Sequence, residues 1–165
     1  SAPMRLTYRT ISDVGIDAYQ QVMSRCGEGS LDRNDRYYWD GSGPQNWARQ
    51  MTEYVSEPDT MMWLIGYAGD EPIGYVAVGR DEDWGSTIIH IGVLPVHRGN
   101  GYIDDLIAAG TAAARDQGIT SMLSDVDVTN TPMMAAMRRA GHTDDARPWH
   151  VWAYRTDLSS LAAIP

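Results

Sequence analysis

From Ser86 to Gly141 the chain alternates a buried-looking strand, "STIIHIGVL", a helix over 103–117, a second strand, "ITSMLSDVDVT", and a short helix, "TPMMAAMRRAG". Two strands joined through a helix pair in parallel, with a right-handed crossover. The second half therefore has to supply a parallel strand pair covered by helices. Ile103, Leu106, Ile107 and residues 110–114 give the longer helix one packed face, and Gly118 stops it. Pro132 sits in the first turn of the shorter helix and Gly141 ends it.

The first half follows another pattern. "RLTYRT" alternates and predicts a strand over 5–10. Ser12 or Asp13 caps a helix that carries Ile16, Tyr19, Val22 and Met23 at helical spacing. Residues 27–44 are polar, aromatic and glycine-rich, a loop or a short helix, and Pro44 precedes a second helix over 45–56. Residues 60–69 and 71–79 read as an antiparallel hairpin around Gly69 and Asp70, followed by an acidic turn over 81–86. A last strand is predicted over 148–156. The order βααβββαβαβ predicts an α/β (α+β) mixed sheet, mostly antiparallel in its N-terminal half and flanked by helices. The 165 residues suit a single domain over 1–165. Ser1–Pro3 read as a non-native lead before Met4, with a fragment of a longer chain as the alternative.

The net charge of -9 argues against sequence-independent nucleic-acid binding and is compatible with cationic partners such as amines. All 13 basic residues are arginine, and phenylalanine is absent. Cys26 is the single cysteine, which excludes an intrachain disulfide and a cysteine-based metal cluster. It reads as a buried spectator, and no metal site is expected. No apolar run approaches the ~18–20 residues that span a bilayer, so no membrane partner is expected. The N-terminus lacks a signal-peptide pattern, and a cytoplasmic location is expected.

"HRGNGYI" lies between strand and helix. Amides at a helix start are unpaired and partly positive, and glycines let an anion approach them. The amides from Gly99 to Ile103 can form such a cradle, with Arg98 as an added donor; a purely structural turn is the alternative. No Gly-Lys-Ser/Thr follows, so this is not a P-loop, and the dinucleotide Gly-x-Gly-x-x-Gly spacing is missing. Asp104 and Asp105 suit the helix dipole but oppose an anion if they point toward it.

Val93, Pro95, Arg98 and Gly99 spell "Val-x-Pro-x-x-Arg-Gly", and Arg98 and Gly101 match "Arg/Gln-x-x-Gly-x-Gly/Ala", with Ile103 in place of the last small residue. Asn130 opens the later helix and Gly141 ends it. On these motifs residues 72–165 resemble the GNAT superfamily of acetyl-CoA-dependent acyltransferases. "DVDVTNTPMMAAMRRAGH" is similar to a group with an N-x-P-M signature.

The resemblance implies a GNAT fold with a central V-splayed parallel strand pair, and transfer of an acetyl group from acetyl-CoA to a primary amine. The acceptor is a small molecule or a peptide N-terminus. Coenzyme A would lie between the strand ending near Val93 and the strand over 121–128. Its pantetheine would pair with Ile91, Gly92 and Val93. Its pyrophosphate would rest on Arg98, Gly99, Asn100, Gly101, Tyr102 and Ile103, and Asn130 and Met133 would flank the thiol end. A non-catalytic coenzyme A-binding or regulatory domain is the alternative, favoured by Ile103, Met137 and the absence of glutamate at Thr87. A degenerate half of a tandem or dimeric protein is a third reading, and a homodimer is compatible with each.

Asp125 lies five residues before Asn130, where N-terminal acetyltransferases of this family carry a glutamate base. With a shorter side chain it would act through a water; pairing with an arginine or capping a turn is its structural alternative. Asp127 shares its face and lines the acceptor side. His90 suits a base by residue type. Strict strand alternation, however, turns it away from Thr87, Ile89 and Ile91, the parity of family bases, and predicts a packed histidine. Glu82 and Asp83 read as a solvated turn, or as attractors for an amine. Met137 stands where the family carries a tyrosine acid. Tyr102 and Tyr154 remain open for that role. "RYYWD" at 36–40, Trp63 and Trp84 are acceptor-pocket candidates or core packing.

Overall fold

The computed structural model describes residues 5–144. The strand predicted over 148–156, and Tyr154 within it, lie outside the described residues.

β1 (Thr7–Thr10) runs into α1 (Ile11–Val14). The cap is Thr10 rather than Ser12 or Asp13: its hydroxyl accepts from the Asp13 amide at 3.1 Å, and the Asp13 carboxylate accepts from the Thr10 amide at 2.8 Å. Gly15, at φ 85°, separates α1 from α2 (Ile16–Cys26), which buries Tyr19, Val22, Met23 and Cys26. α3 (Arg33–Ser42) occupies the stretch that the sequence left as a loop or a short helix. The Asp32 carboxylate caps it by accepting from the Asn34 and Asp35 amides. It buries no residue, which is why apolar periodicity did not reveal it. α4 (Pro44–Thr52) ends earlier than expected and gives way to a 3-10 turn over Glu57–Met62.

β2 (Trp63–Ala68), β3 (Glu71–Asp81), β4 (Gly85–Val93) and β5 (Leu123–Ser124) join β1 in one sheet ordered β1-β2-β3-β4-β5. All pairs are antiparallel except β4–β5, which is parallel. α5 (Tyr102–Asp116) crosses between these two strands, and α6 (Thr131–Arg139) follows β5. One core joins α5 and α6 to Val76, Val78 and Ile88 through Leu106, Ile107, Ala136 and Met137. The other joins α2 and α4 to Trp63, Ile65 and Tyr75 through Tyr19, Met23 and Trp47.

Two departures from the sequence expectation shape the site. The strand expected over 119–129 pairs at only two positions, Thr87↔Leu123 and Ile88↔Ser124. Ser86 Oγ donates to the Ser121 carbonyl at 2.9 Å and holds the start of this segment. Beyond Ser124, Arg33 engages Asp127, and the Asn130 amide closes a turn on the Asp127 carbonyl at 2.8 Å. β4 and β5 therefore diverge, and the outer edge of Ile89–Val93 has no strand partner among the described residues.

The second departure is a bulge. The β3–β4 register passes from Val78↔Ile88 to Ala77↔His90, so Ile89 is an extra residue. Ile88 and Ile91 pack with α5, whereas Ile89 and His90 both face the core under α2 and α4. Strict alternation is thus corrected: His90 shares the face of Ile89.

Candidate active site

β4 ends in a short 3-10 turn, Pro95–His97, and the chain then passes Gly99 at φ 81° and Gly101 at φ 75°. Both angles are in the left-handed region that favours glycine. Gly101 starts α5 with no side-chain cap bond, so the Tyr102 and Ile103 amides of this 15-residue helix remain open to a ligand, while the Asp104 amide donates to the Gly101 carbonyl at 3.2 Å. A Cβ at Gly99 would meet nothing within 4 Å. The Asn100 side chain braces this turn from within, donating to the His97 and Arg98 carbonyls at 3.0 and 3.3 Å.

Arg98 does something the sequence did not foretell. Its guanidinium donates to the carbonyls of Cys26 (2.9 Å), Glu28 (2.7 Å), Gly29 (3.4 Å) and Val93 (3.2 Å). It laces the α2–α3 connection to the glycine loop. The cation beside the loop is Arg5, which donates to the Asn100 carbonyl at 2.9 Å, pairs with Asp105 and lies 4.9 Å over the Tyr102 ring. Nothing local in the sequence signals Arg5, because its partners lie almost a hundred residues away. Asp104 pairs with Arg139 of α6 at 2.8 Å. Both aspartates of the first turn thus have arginine partners. Tyr102 and Ile103 pack against the α5 core.

In the cleft between β4 and β5, Ile91 packs against the α5 core and Val93 belongs to it. A Cβ on Gly92 would lie 2.9 Å from Cys26 Cβ, so only glycine fits there without displacement. Asn130 caps α6 by accepting from the Met133 amide at 3.3 Å, and Met133 packs against the same core. Met137 is buried in that core. Asp125 is exposed, one residue beyond the last β5 pair.

Across the cleft, Arg33 grips Asp127 through its amide (3.0 Å), Nε (2.8 Å) and Nη2 (3.0 Å). These bonds, with two from Thr129, hold the Asp127 carboxyl well below the usual carboxylate range despite some desolvation. Burial pushes the Asp32 carboxyl up, and Asp35 and Asp127 add to this, against the hydrogen bonds it accepts from the Asp35 and Asn34 amides. His90 Nε2 lies 2.6 Å from Asp35 Oδ2, and Nδ1 hydrogen-bonds the Tyr75 hydroxyl. The ring stacks on Tyr75 at 5.7 Å and meets Trp47 edge-on at 5.0 Å.

The remaining candidates sort by burial. Burial pushes the Cys26 thiol up to about 12, outweighing Arg98 and Arg25. Trp63 is fully buried. Trp39 anchors α3 by donating from Nε1 to the Ser24 carbonyl at 2.8 Å, while Tyr37 and Tyr38 are exposed and meet edge-on. Glu82 and Asp83 are exposed in the β3–β4 turn. No helix among the described residues is long and apolar enough to cross a membrane.

A mixed sheet with a splayed parallel pair and a glycine-shaped helix start defines an acyltransferase architecture. The chain belongs to the acetyltransferase (GNAT) family, whose model matches residues 28–142. Its fold is shared with an aminoglycoside N-acetyltransferase, AAC(6')-Iy, solved with CoA (TM-score 0.60, 19% identity, 93% of this chain and 95% of that one). It is shared with the ribosomal-protein-S18-alanine N-acetyltransferase from Escherichia coli (0.59, 12%, 82% and 76%). A third relative is yncA, a putative acetyltransferase from Salmonella typhimurium with acetyl-CoA (0.56, 16%, 82% and 78%). No curated protein matches the chain in sequence.

Proposed function

We propose that this chain is an N-acetyltransferase that moves the acetyl group of acetyl-CoA directly to a primary amine, on a small molecule or a peptide N-terminus, in the cytoplasm. The observation that carries this reading is the edge of Ile89–Val93, unpaired among the described residues, ending at a glycine-shaped helix start without a side-chain cap. That edge fits an extended arm bearing amide groups, and the open helix start fits a pyrophosphate. Acetyl-CoA supplies the acetyl group as an activated thioester. The main chain of Ile91, Gly92 and Val93 binds the arm, and its N–H groups polarise the carbonyl that is attacked. Gly99, Asn100, Gly101, Tyr102 and Ile103 cradle the pyrophosphate. Arg5 adds positive charge there while Arg98 holds the loop in shape. Asn130 and Met133 border the thiol end.

The acceptor enters on the α3 side, where Asp32, Asp35, Asp125 and Asp127 lower the potential for a cationic amine. A carboxylate on this side receives the amine's proton. The sequence expectation for it is Asp125, acting through a water.

Thiol release from acetyl-CoA, measured over amines and N-terminal peptides, tests the reading. Release that depends on an added amine is expected; absence of release with every amine overturns it. A second reading, coenzyme A binding without turnover, is favoured by the buried Met137, which leaves the family's acid position without a proton donor. A thiolate leaves readily without such help, since a thiol pKa is only about 8.5.

A further inference from the structure

Asp35, His90 and Tyr75 come from α3, β4 and β3 and form one connected polar chain. The β4 bulge puts His90 in this chain, two residues past Ile88, the last residue paired with β5. The first turn of α3 is fastened on both sides of the diverging strands: Asp35 to His90 on β4, and Arg33 to Asp127 in the segment after β5. Asp35 therefore stands where the strands part. We infer that Asp35 is the carboxylate that binds the acceptor's ammonium group and takes its proton, with His90 as its positioning residue; this rests on the acetyl-transfer reading above.

The hydrogen-bond directions support the assignment. The Tyr75 hydroxyl is fully buried, and burial raises it well above its ordinary value. A neutral His90 carries its single ring N–H on Nε2, which donates to Asp35 Oδ2, and Nδ1 then accepts from this hydroxyl. Both ring nitrogens are engaged, so His90 itself has no lone pair for a substrate. Asp35 Oδ1 has no partner among the described residues, and the Asp35 side chain is the more exposed of the two, 20% against 13% for His90. The other groups around this chain are Asp32 on α3, the Arg33–Asp127 pair, Cys26 and Tyr19 on α2, and the uncharged Trp47 on α4. Asp125, by contrast, is exposed and has no partner among the described residues to fix its geometry.

The step balances as follows. An ammonium N–H bond breaks and its proton goes to Asp35 Oδ1. The freed nitrogen pair bonds to the acetyl carbon, and the C–S pair leaves on sulfur. The thiolate takes the second proton that the nitrogen sheds, and Asp35 returns its proton to water. The products are the amide, the thiol and one proton.

The test uses the full chain and two probe amines. Near neutral pH, ethylamine is protonated and needs a base before it can attack, whereas 2,2,2-trifluoroethylamine is already neutral. Asp35→Asn is expected to lower kcat/KM for ethylamine by about 100-fold or more, the usual scale of base catalysis, and to leave trifluoroethylamine within about 5-fold. Asp35→Glu should recover part of the loss, and His90→Gln should give a smaller loss with the same selectivity. Asp125→Asn should lower kcat/KM for ethylamine far less than Asp35→Asn does. Equal losses with both amines, together with a lowered melting temperature for Asp35→Asn, would make the contact merely structural. A selective loss in Asp125→Asn but not in Asp35→Asn would return the role to Asp125. If the wild-type chain releases no thiol with these two amines or with any amine or N-terminal peptide of the wider panel, the acetyl-transfer reading itself falls, and this inference with it.

Discussion

α5 and α3 border the same cleft and are held in opposite ways. α5 buries Leu106, Ile107, Gly110 and Ala114 against the sheet. It lies so close that a Cβ on Gly110 would come within 2.9 Å of Val76 Cγ2. α3 has no fully buried residue: its one apolar anchor is the half-buried Trp39, which packs on the α2–α4 core and donates to the Ser24 carbonyl, and Arg33–Asp127 and Asp35–His90 complete the attachment. Burying a large apolar side chain stabilises by about 1.5–3 kcal/mol, whereas exposed ion pairs contribute about 0–1 kcal/mol. On the proposed function, the cofactor side is built on the main core and the acceptor side on a helix with fewer apolar contacts, which is expected to open at lower free energy. In this reading the constant partner meets a fixed surface and the variable partner meets an adjustable one.

The largest effect should come from the core. Leu106→Ala is expected to cost about 2–5 kcal/mol in a denaturant melt, while Tyr38→Ala on α3 should cost less than about 1 kcal/mol. Similar costs for the two would erase the contrast. Gly101→Val forces a branched residue into a left-handed backbone and fills the approach to the α5 amides. It should weaken acetyl-CoA binding about tenfold or more, the loss of about 1.4 kcal/mol of phosphate contact. Trp39→Ala should release α3 alone: amide exchange over 33–42 should quicken while β3 amides keep their protection. Coordinated loss of protection in β3 would show that α3 is part of the main cooperative unit.

The smallest effect is electrostatic. The folded-state carboxyl of Asp127 is depressed below an unfolded value of about 3.9. Its contribution is therefore full above that unfolded value and is lost only as pH falls through the lower folded one. Asp127→Asn should reduce stability modestly at neutral pH, and the gap to wild type should close in strong acid. A gap that persists there would mean that the Arg33 contact acts through packing rather than charge.

The same contrast explains what could be read from the sequence. α5 announces itself through Leu106, Ile107 and the alanines, and the glycine loop through Gly99 and Gly101, because these signals are local and periodic. α3 has no apolar stripe, so no periodic signal marks it. The bulge at Ile89 broke the alternation on which the parity of His90 had been judged, and a bulge leaves no mark in a run of isoleucines. β5 shrank to Leu123–Ser124 because Asp127 is engaged by Arg33, a partner from the other half of the chain. Arg5 and Arg139 beside the loop aspartates are equally remote in sequence. Arg98 donates to carbonyls of the α2–α3 connection, which lie about seventy residues away and leave no local mark in the sequence.

Calorimetric titration of the full chain with acetyl-CoA tests the central claim most directly. Saturable one-to-one binding, markedly weakened by Gly101→Val, is the predicted result. Absence of binding, or binding untouched by that substitution, would contradict the placement of the cofactor on the β4–α5 loop.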